Sequence, residues 1–196
     1  MRRIVDVAQP DSPNGKEVIT PPSRAEWREW LASNWGRKEG LWVVHRKKTS
    51  PLIGPLYDEL VEEALCFGWI DSQSRRVDDD RKIQWFSPRR PGGLWSALNK
   101  ERIERLQRDG LMTEMGQAVI DQAMASGSWS QADQADALAI PPDLEAAFAA
   151  APAAKSAFEQ LVDSAKKQYL WSVYSAKRPE TRAKRVDQLI GDLSAE

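Results

Sequence analysis

The segment from Trp69 to Ser87 constrains the fold most. Two runs, Trp69 to Arg76 and Arg81 to Ser87, flank the acidic stretch Val77-Asp78-Asp79-Asp80. Bulky residues on both sides of a short polar turn predict a β-hairpin. The two-residue period of the second strand puts Ile83 and Trp85 on one face and Phe86 on the other. Upstream, Leu41 to Lys48 is rich in bulky and β-branched residues and too short for a typical helix, so it predicts a third strand. Between them, Tyr57, Leu60, Val61, Ala64 and Leu65 recur at helical spacing behind the early acids Asp58 and Glu59, and Gly68 is the expected stop. Ser23, with Glu26 three residues later, marks a helix N-terminus running to about Asn34.

Beyond Pro91-Gly92-Gly93 the pattern turns helical. Ser96 to Arg108 is amphipathic, with Ile103 and Leu106 inward, and Thr113 caps a helix carrying Met115, Val119, Ile120 and Ala123. Ala-rich helices are expected over 143–150 and 152–164, then a segment around 166–176. A last helix from Pro179 carries the stripe Val186, Leu189, Ile190, Leu193. The expected fold is therefore α+β: a small antiparallel sheet of about three strands with packed helices and a helical C-terminal subdomain. The expected limits are a flexible N-terminal arm at 1–22, rich in proline and of little periodicity, an α+β core at 23–126, a linker at 127–142 and the helical C-terminal subdomain at 143–196. A chain of 196 residues is long enough for one or two such compact bodies. Its nine tryptophans outnumber Phe and Tyr together, and seven of them lie before residue 100.

Net charge is -1, so the molecule as a whole is no electrostatic magnet for nucleic acid. Charge is nonetheless grouped: ten Lys/Arg against five acids between 75 and 108, seven against one between 166 and 185, and one against seven between 121 and 163. Two basic regions suit an anionic partner, although such blocks also serve as solvated faces. A single cysteine excludes an intrachain disulfide, no apolar run suffices for a transmembrane helix, and the N-terminus shows no apolar signal core; the expectation is a cytoplasmic protein without membrane insertion.

One His and one Cys, His45 and Cys66, do not make a zinc site, and no metal or other cofactor is expected. Asp78 to Asp80 lack calcium-loop spacing and read as a turn. Cys66, between Leu65 and Phe67, reads as a buried apolar side chain, and His45 as a structural residue at the solvent edge of its strand. The richer constellation is Trp69 and Asp71, which alternation places on one face with Gln73, followed by Arg89, Arg90, Trp95 and Asn99. An indole beside a carboxylate suits a cationic or planar ligand. The same residues also admit a plain structural account: an indole in the core, an Asp71–Arg89 pair and Asn99 tying down a loop. Near the C-terminus Arg178, Arg182 and Arg185 fall at i, i+4, i+7, with Lys177 beside them, as candidates for phosphate contacts.

The run Ala64-Leu65-Cys66-Phe67-Gly68-Trp69-Ile70-Asp71, then Phe86-Ser87-Pro88-Arg89-Arg90-Pro91, Trp95-Ser96 and Asn99, resembles the YdeI/OmpD-associated family of bacterial proteins. So do Ser175-Ala176-Lys177, Glu180-Thr181-Arg182 and Lys184-Arg185, which are similar to that family's C-terminal OmdA-type segment. The likeness runs from about Ser23 to Leu193. It implies a link to protection against bacteriocins or antimicrobial peptides and to an outer-membrane porin, and brings no catalytic residues with it. The expected function is a non-catalytic ligand-binding or interaction protein, its partner a small molecule or another protein; the sequence sets no oligomeric state. Nucleic-acid binding through the C-terminal basic helices and exposed Trp is the alternative, and an enzyme using Asp71 a third. Under the nucleic-acid reading, fluorescence anisotropy with labelled DNA and RNA shows affinity falling steeply between about 50 and 200 mM salt, and falling again on charge reversal at Arg182 and Arg185; flat, salt-insensitive titrations reject it.

Overall fold

The computed structural model describes residues 10–194. These divide into two compact units: residues up to Pro91 with Glu101–Gln122, and Gly92–Lys100 with the chain from Ala123 onward. The first unit is built on a sheet of strands β1 (Val18–Ile19), β2 (Leu41–Arg46), β3 (Trp69–Arg76) and β4 (Arg81–Pro88), in the order β1-β2-β4-β3. The sheet has four strands rather than three. The addition is β1, which pairs parallel with β2, Val18 opposite Trp42, and buries Val18. Two residues carry no readable period, which is why this strand was hidden within the expected arm. The part of that arm at residues 1–9 lies outside the described residues.

Helix α1 (Arg24–Asn34) and helix α2 (Tyr57–Cys66) begin and end close to where their signals place them. The Ser23 hydroxyl accepts from the Glu26 N–H at 3.3 Å, and Gly68, at φ +74, takes the left-handed conformation that turns the chain from α2 into β3. Trp27 on α1 stacks on Trp30 at 5.2 Å and tilts against Phe86 of β4 at 5.4 Å. Trp30 meets Trp69 of β3 edge-on at 5.7 Å. The Trp27 indole N–H donates to the Leu60 carbonyl at 3.0 Å, tying α1 to α2. A buried carboxylate reinforces the tie: Glu63 on α2, 3% exposed, accepts from Arg24 at 2.5 Å and Arg28 at 2.6 Å. Removing one partner from such a cluster strands a charge, which costs several kcal/mol. The other sheet face carries a smaller apolar cluster of Val18, Trp42, Val44 and Ile83.

Antiparallel pairing of β3 with β4 contains one irregularity. Asp71 pairs with Phe86 and Ser74 with Gln84, so three residues of β3 span two of β4. This bulge corrects the simple alternation of Trp69, Asp71 and Gln73. Past it, Ser74 takes the place on Asp71's face that strict alternation assigns to Gln73.

Helices α3 (Ala97–Arg108) and α4 (Glu114–Ala125) each contribute residues to both units. In the first unit Ile103 and Leu106 are buried and Arg102 pairs with Asp58 at 2.6 Å. The second unit adds α5 (Gln131–Asp136), α6 (Pro142–Ala150), α7 (Pro152–Gln160), α8 (Asp163–Tyr174) and α9 (Pro179–Ser194). Helix α5 occupies the stretch expected to be a linker; Ala132 and Ala135 are fully buried, and six residues without large apolar side chains leave no sequence signal. Leu144, Phe148, Phe158, Leu170 and Val173 form this core with Val186, Leu189 and Leu193 of the α9 stripe. Among the described residues no helix is long and apolar enough to cross a membrane.

Two glycines show which effect governs helix substitutions here. A Cβ on Gly116 of α4 would lie 2.2 Å from the Cys66 carbonyl oxygen, whereas nothing lies within 4 Å of one on Gly191 of α9. Alanine gains about 1 kcal/mol over glycine in a helix interior, and overpacking against backbone costs about 1–3 kcal/mol. Urea denaturation is therefore expected to show Gly116→Ala destabilised and Gly191→Ala neutral to about 1 kcal/mol more stable.

Candidate functional site

The inner sheet face changes character along the strands. Pairing of β2 with β4 sets Leu41 opposite Phe86, Val43 opposite Gln84 and His45 opposite Lys82. The apolar end of this row meets the indoles of α1. At the polar end, helix α2 begins with Tyr57, and a cavity of about 510 Å³ opens between the helix start and the strands. Its floor is His45, Tyr57, Asp71 and Gln84; its rim carries Arg46, Lys47, Lys48 and Lys82, with Ser72 and Ser74 completing the β3 side.

Asp71 is the fixed point of the floor. Its Oδ2 accepts from the Tyr57 hydroxyl at 2.7 Å and from the Gln84 amide at 2.9 Å. Burial first, and then the bond to Asp71, push the Tyr57 phenol far above its ordinary value, so it stays a neutral donor. Burial also holds the His45 imidazole below its usual 6.5, and Lys82 pushes the same way. The ring lies 5.8 Å from the Tyr57 ring, and its Nδ1 is 3.2 Å from the Arg46 carbonyl. His45 is 5% exposed, so the expectation of a solvent-edge position is corrected: the strand carries it under the start of α2. Arg89, just past β4, is drawn down to about 10 by burial against an opposing pull from Asp71, and keeps its charge at neutral pH.

The structure gathers only part of the constellation read from the sequence. Asp71 lines the cavity and feels the charge of Arg89. Trp69 is fully buried against Trp30, in the core rather than as a platform beside the carboxylate. Arg90 is exposed. Trp95 and Asn99 belong to the second unit, where Trp95 packs on Trp129 at 5.0 Å and the Asn99 N–H donates to the Ser96 hydroxyl at 3.3 Å. On α9, Arg182 holds Asp143 of α6 through two bonds of 2.5 and 2.8 Å, and Arg185 donates to the Ser175 hydroxyl at 2.6 Å. Arg178 precedes the first residue of α9, and the Lys177 ammonium lies 2.9 Å from where a Cβ on Gly92 would fall.

Sequence reasoning missed Tyr57, Gln84 and Lys82 as site residues. The available signal was the β4 alternation Lys82, Gln84, Phe86, a row running from charged through polar to apolar. Cys66 is buried, with its thiol pushed up to about 11 by that burial, and is no nucleophile at neutral pH. The Asp78 carboxylate accepts from the Asp80 and Arg81 backbone N–H groups at 2.9 and 2.7 Å, as a turn residue does. Among the described residues no group of three or more His, Cys, Asp or Glu side chains converges to hold a metal ion.

Residues 19–119 match the model of a family described as a domain of unknown function (DUF8412), and residues 137–196 match that of a family described as Bacteriocin-protection, YdeI or OmpD-Associated. The second match is shorter than the likeness read from the motifs. The runs from Ala64 to Asn99 fall under the first. No curated protein and no solved structure matches the chain.

Because His45 is the sole histidine, its environment is directly measurable. Its imidazole resonances are expected to titrate with a midpoint below 6.5, the ordinary value. The unfolded chain then binds more protons than the folded one between the two midpoints, so stability is complete above about pH 6.5 and falls as the pH drops through that window. A midpoint above 6.5, or stability flat across the window, contradicts the buried neutral ring.

Proposed function

The chain belongs, through residues 19–119, to the family described as a domain of unknown function, and carries a bacteriocin-protection, YdeI or OmpD-associated domain at 137–196; we propose that it is a cytoplasmic, non-catalytic ligand-binding protein serving tolerance to bacteriocins or antimicrobial peptides. One observation carries the ligand-binding part: a cavity of about 510 Å³ whose carboxylate, Asp71, is already oriented by Tyr57 and Gln84. Sites for small molecules combine such a volume with a few convergent polar groups. A carboxylate held by two donors presents fixed acceptor capacity to a ligand and loses no side-chain freedom when the ligand arrives. The link to bacteriocin protection is supported by the description of the family that 137–196 matches.

The other two readings draw less support. Phosphate binding along α9 competes with the Arg182–Asp143 pair and the Arg185–Ser175 bond. An enzyme using Asp71 lacks a nucleophile, base and oxyanion donor in one legible set.

Calorimetric screening of small polar metabolites is the direct test. Asp71→Asn, near-isosteric, is expected to abolish binding of any ligand found, and Tyr57→Phe to weaken it roughly tenfold by freeing the carboxylate. Both variants should keep the wild-type circular dichroism. In a strain lacking the protein, the wild-type gene should restore survival under bacteriocin challenge and Asp71→Asn should not. Ligands bound equally well by Asp71→Asn contradict the site.

A further inference from the structure

The cavity's own chemistry narrows what enters it. Four cations stand at the rim, and their neutralisation is incomplete. Lys48 lies 3.3 Å from Asp58. Arg46 instead donates to the Gly54 carbonyl at 2.9 Å, and the Lys47 ammonium to the carbonyls of Asp78 and Asp79 at 2.9 and 2.7 Å. Neutral carbonyls orient these groups without cancelling their charge. Lys82, exposed and opposite His45 in the ladder, makes no ion pair among the described residues. Among the described residues Asp71 is the only carboxylate lining the cavity, so the rim favours an anion.

The floor asks for something different. A backbone carbonyl only accepts, so the contact between His45 Nδ1 and the Arg46 carbonyl at 3.2 Å places the proton of the neutral ring on Nδ1. Nε2 is left with a lone pair, buried and without a partner among the described residues. Enclosed in this way, Nε2 is out of a ligand's reach, and the ring serves the cavity as an uncharged wall. Asp71 supplies acceptor capacity to the cavity, since both of its hydrogen bonds fall on Oδ2. The ligand therefore needs hydrogen-bond donors at one end and negative charge at the other, within a volume suited to one small molecule.

We propose that the cavity takes a small hydroxylated anion of the sugar-phosphate class, with its anionic group at Arg46, Lys47 and Lys82 and its hydroxyls on Asp71. The inference rests on the reading of this cavity as a ligand site. The probes are glucose 6-phosphate, glucose and inorganic phosphate, added to the full-length protein while the imidazole resonances of its one histidine are followed by NMR. Glucose 6-phosphate is expected to shift them saturably. Its affinity should fall about tenfold or more in Lys82→Glu, a change on an exposed residue, and fall between about 50 and 200 mM salt even where no variant is used. Glucose binding as tightly as its phosphate overturns the anionic requirement and leaves the ligand-site reading standing. Inorganic phosphate binding as tightly as glucose 6-phosphate overturns the hydroxyl requirement. Resonances unmoved by all three probes overturn the inference; if a metabolite from the calorimetric screen still binds in an Asp71-dependent way, the underlying reading survives it.

Discussion

Strand β4 holds the first unit together because it lies inside the sheet, paired on both sides. Its two-residue period sets Phe86, Gln84 and Lys82 in one row on the face covered by the helices. Phe86 demands an apolar cover and receives Trp27. Gln84, 4% exposed, demands a polar partner and receives Asp71. Lys82 demands water and reaches it. A one-residue slip would send all three to the opposite face, among Val44 and Trp42. Core, cavity floor and charged rim are thus successive steps along one strand, and the same register that fills the core builds the cavity.

The helices complete what the row begins. Tyr57 reaches Asp71 only because α2 starts where it does. That start is held by Glu59, whose carboxylate accepts from the Leu56 N–H at 2.7 Å, and by the Arg102–Asp58 pair. The middle of α2 is fixed separately, by Trp27 on the Leu60 carbonyl and by the two arginines on Glu63. A buried carboxylate with two guanidinium partners contributes little net stability compared with an apolar replacement, yet it admits few alternative placements. Its value here is in positioning: α1 and α2 are locked in register, and Tyr57 is delivered to the floor with the precision a hydrogen bond of 2.7 Å requires.

Legibility in the sequence followed the range of the interaction concerned. Ser23, Gly68, Thr113 and Pro179 act within one helical turn, and α1, α2, α4 and α9 start or stop beside them. The hairpin was readable because its turn and both strands are contiguous. Strand β1 and helix α5 were not, since two residues and six residues show no period and owe their conformation to what they pack against. Asp71 was visible as a carboxylate among bulky neighbours on a strand. Its partners were not: Tyr57 and Gln84 lie 14 and 13 residues away, and the bulge after Asp71 decides which of the following β3 residues share its face. His45 was placed at the solvent edge because strand alternation says nothing of the helix that comes to cover it.

Charge shows the same distinction between composition and arrangement. The basic block at 166–185 and the acidic block at 121–163 look like two opposed surfaces on the linear chain. In the second unit, acids of the latter block are taken up by Arg182 on Asp143, Lys155 on Glu145 and Lys100 on Asp133. Of the phosphate candidates of α9, Arg182 is thereby committed to a carboxylate, while Arg185 is held by the Ser175 hydroxyl. The segment 41–48 attracts no notice by composition, with its cations ending an apolar strand, yet Arg46 and Lys47 there are held by carbonyls, which align a charge without cancelling it. An anion at Arg182 must displace a carboxylate, whereas one at the cavity meets Arg46 and Lys47 already aligned by neutral carbonyls. By the Coulomb balance this favours the cavity beside Asp71 over Arg182 as the place for the anion we propose.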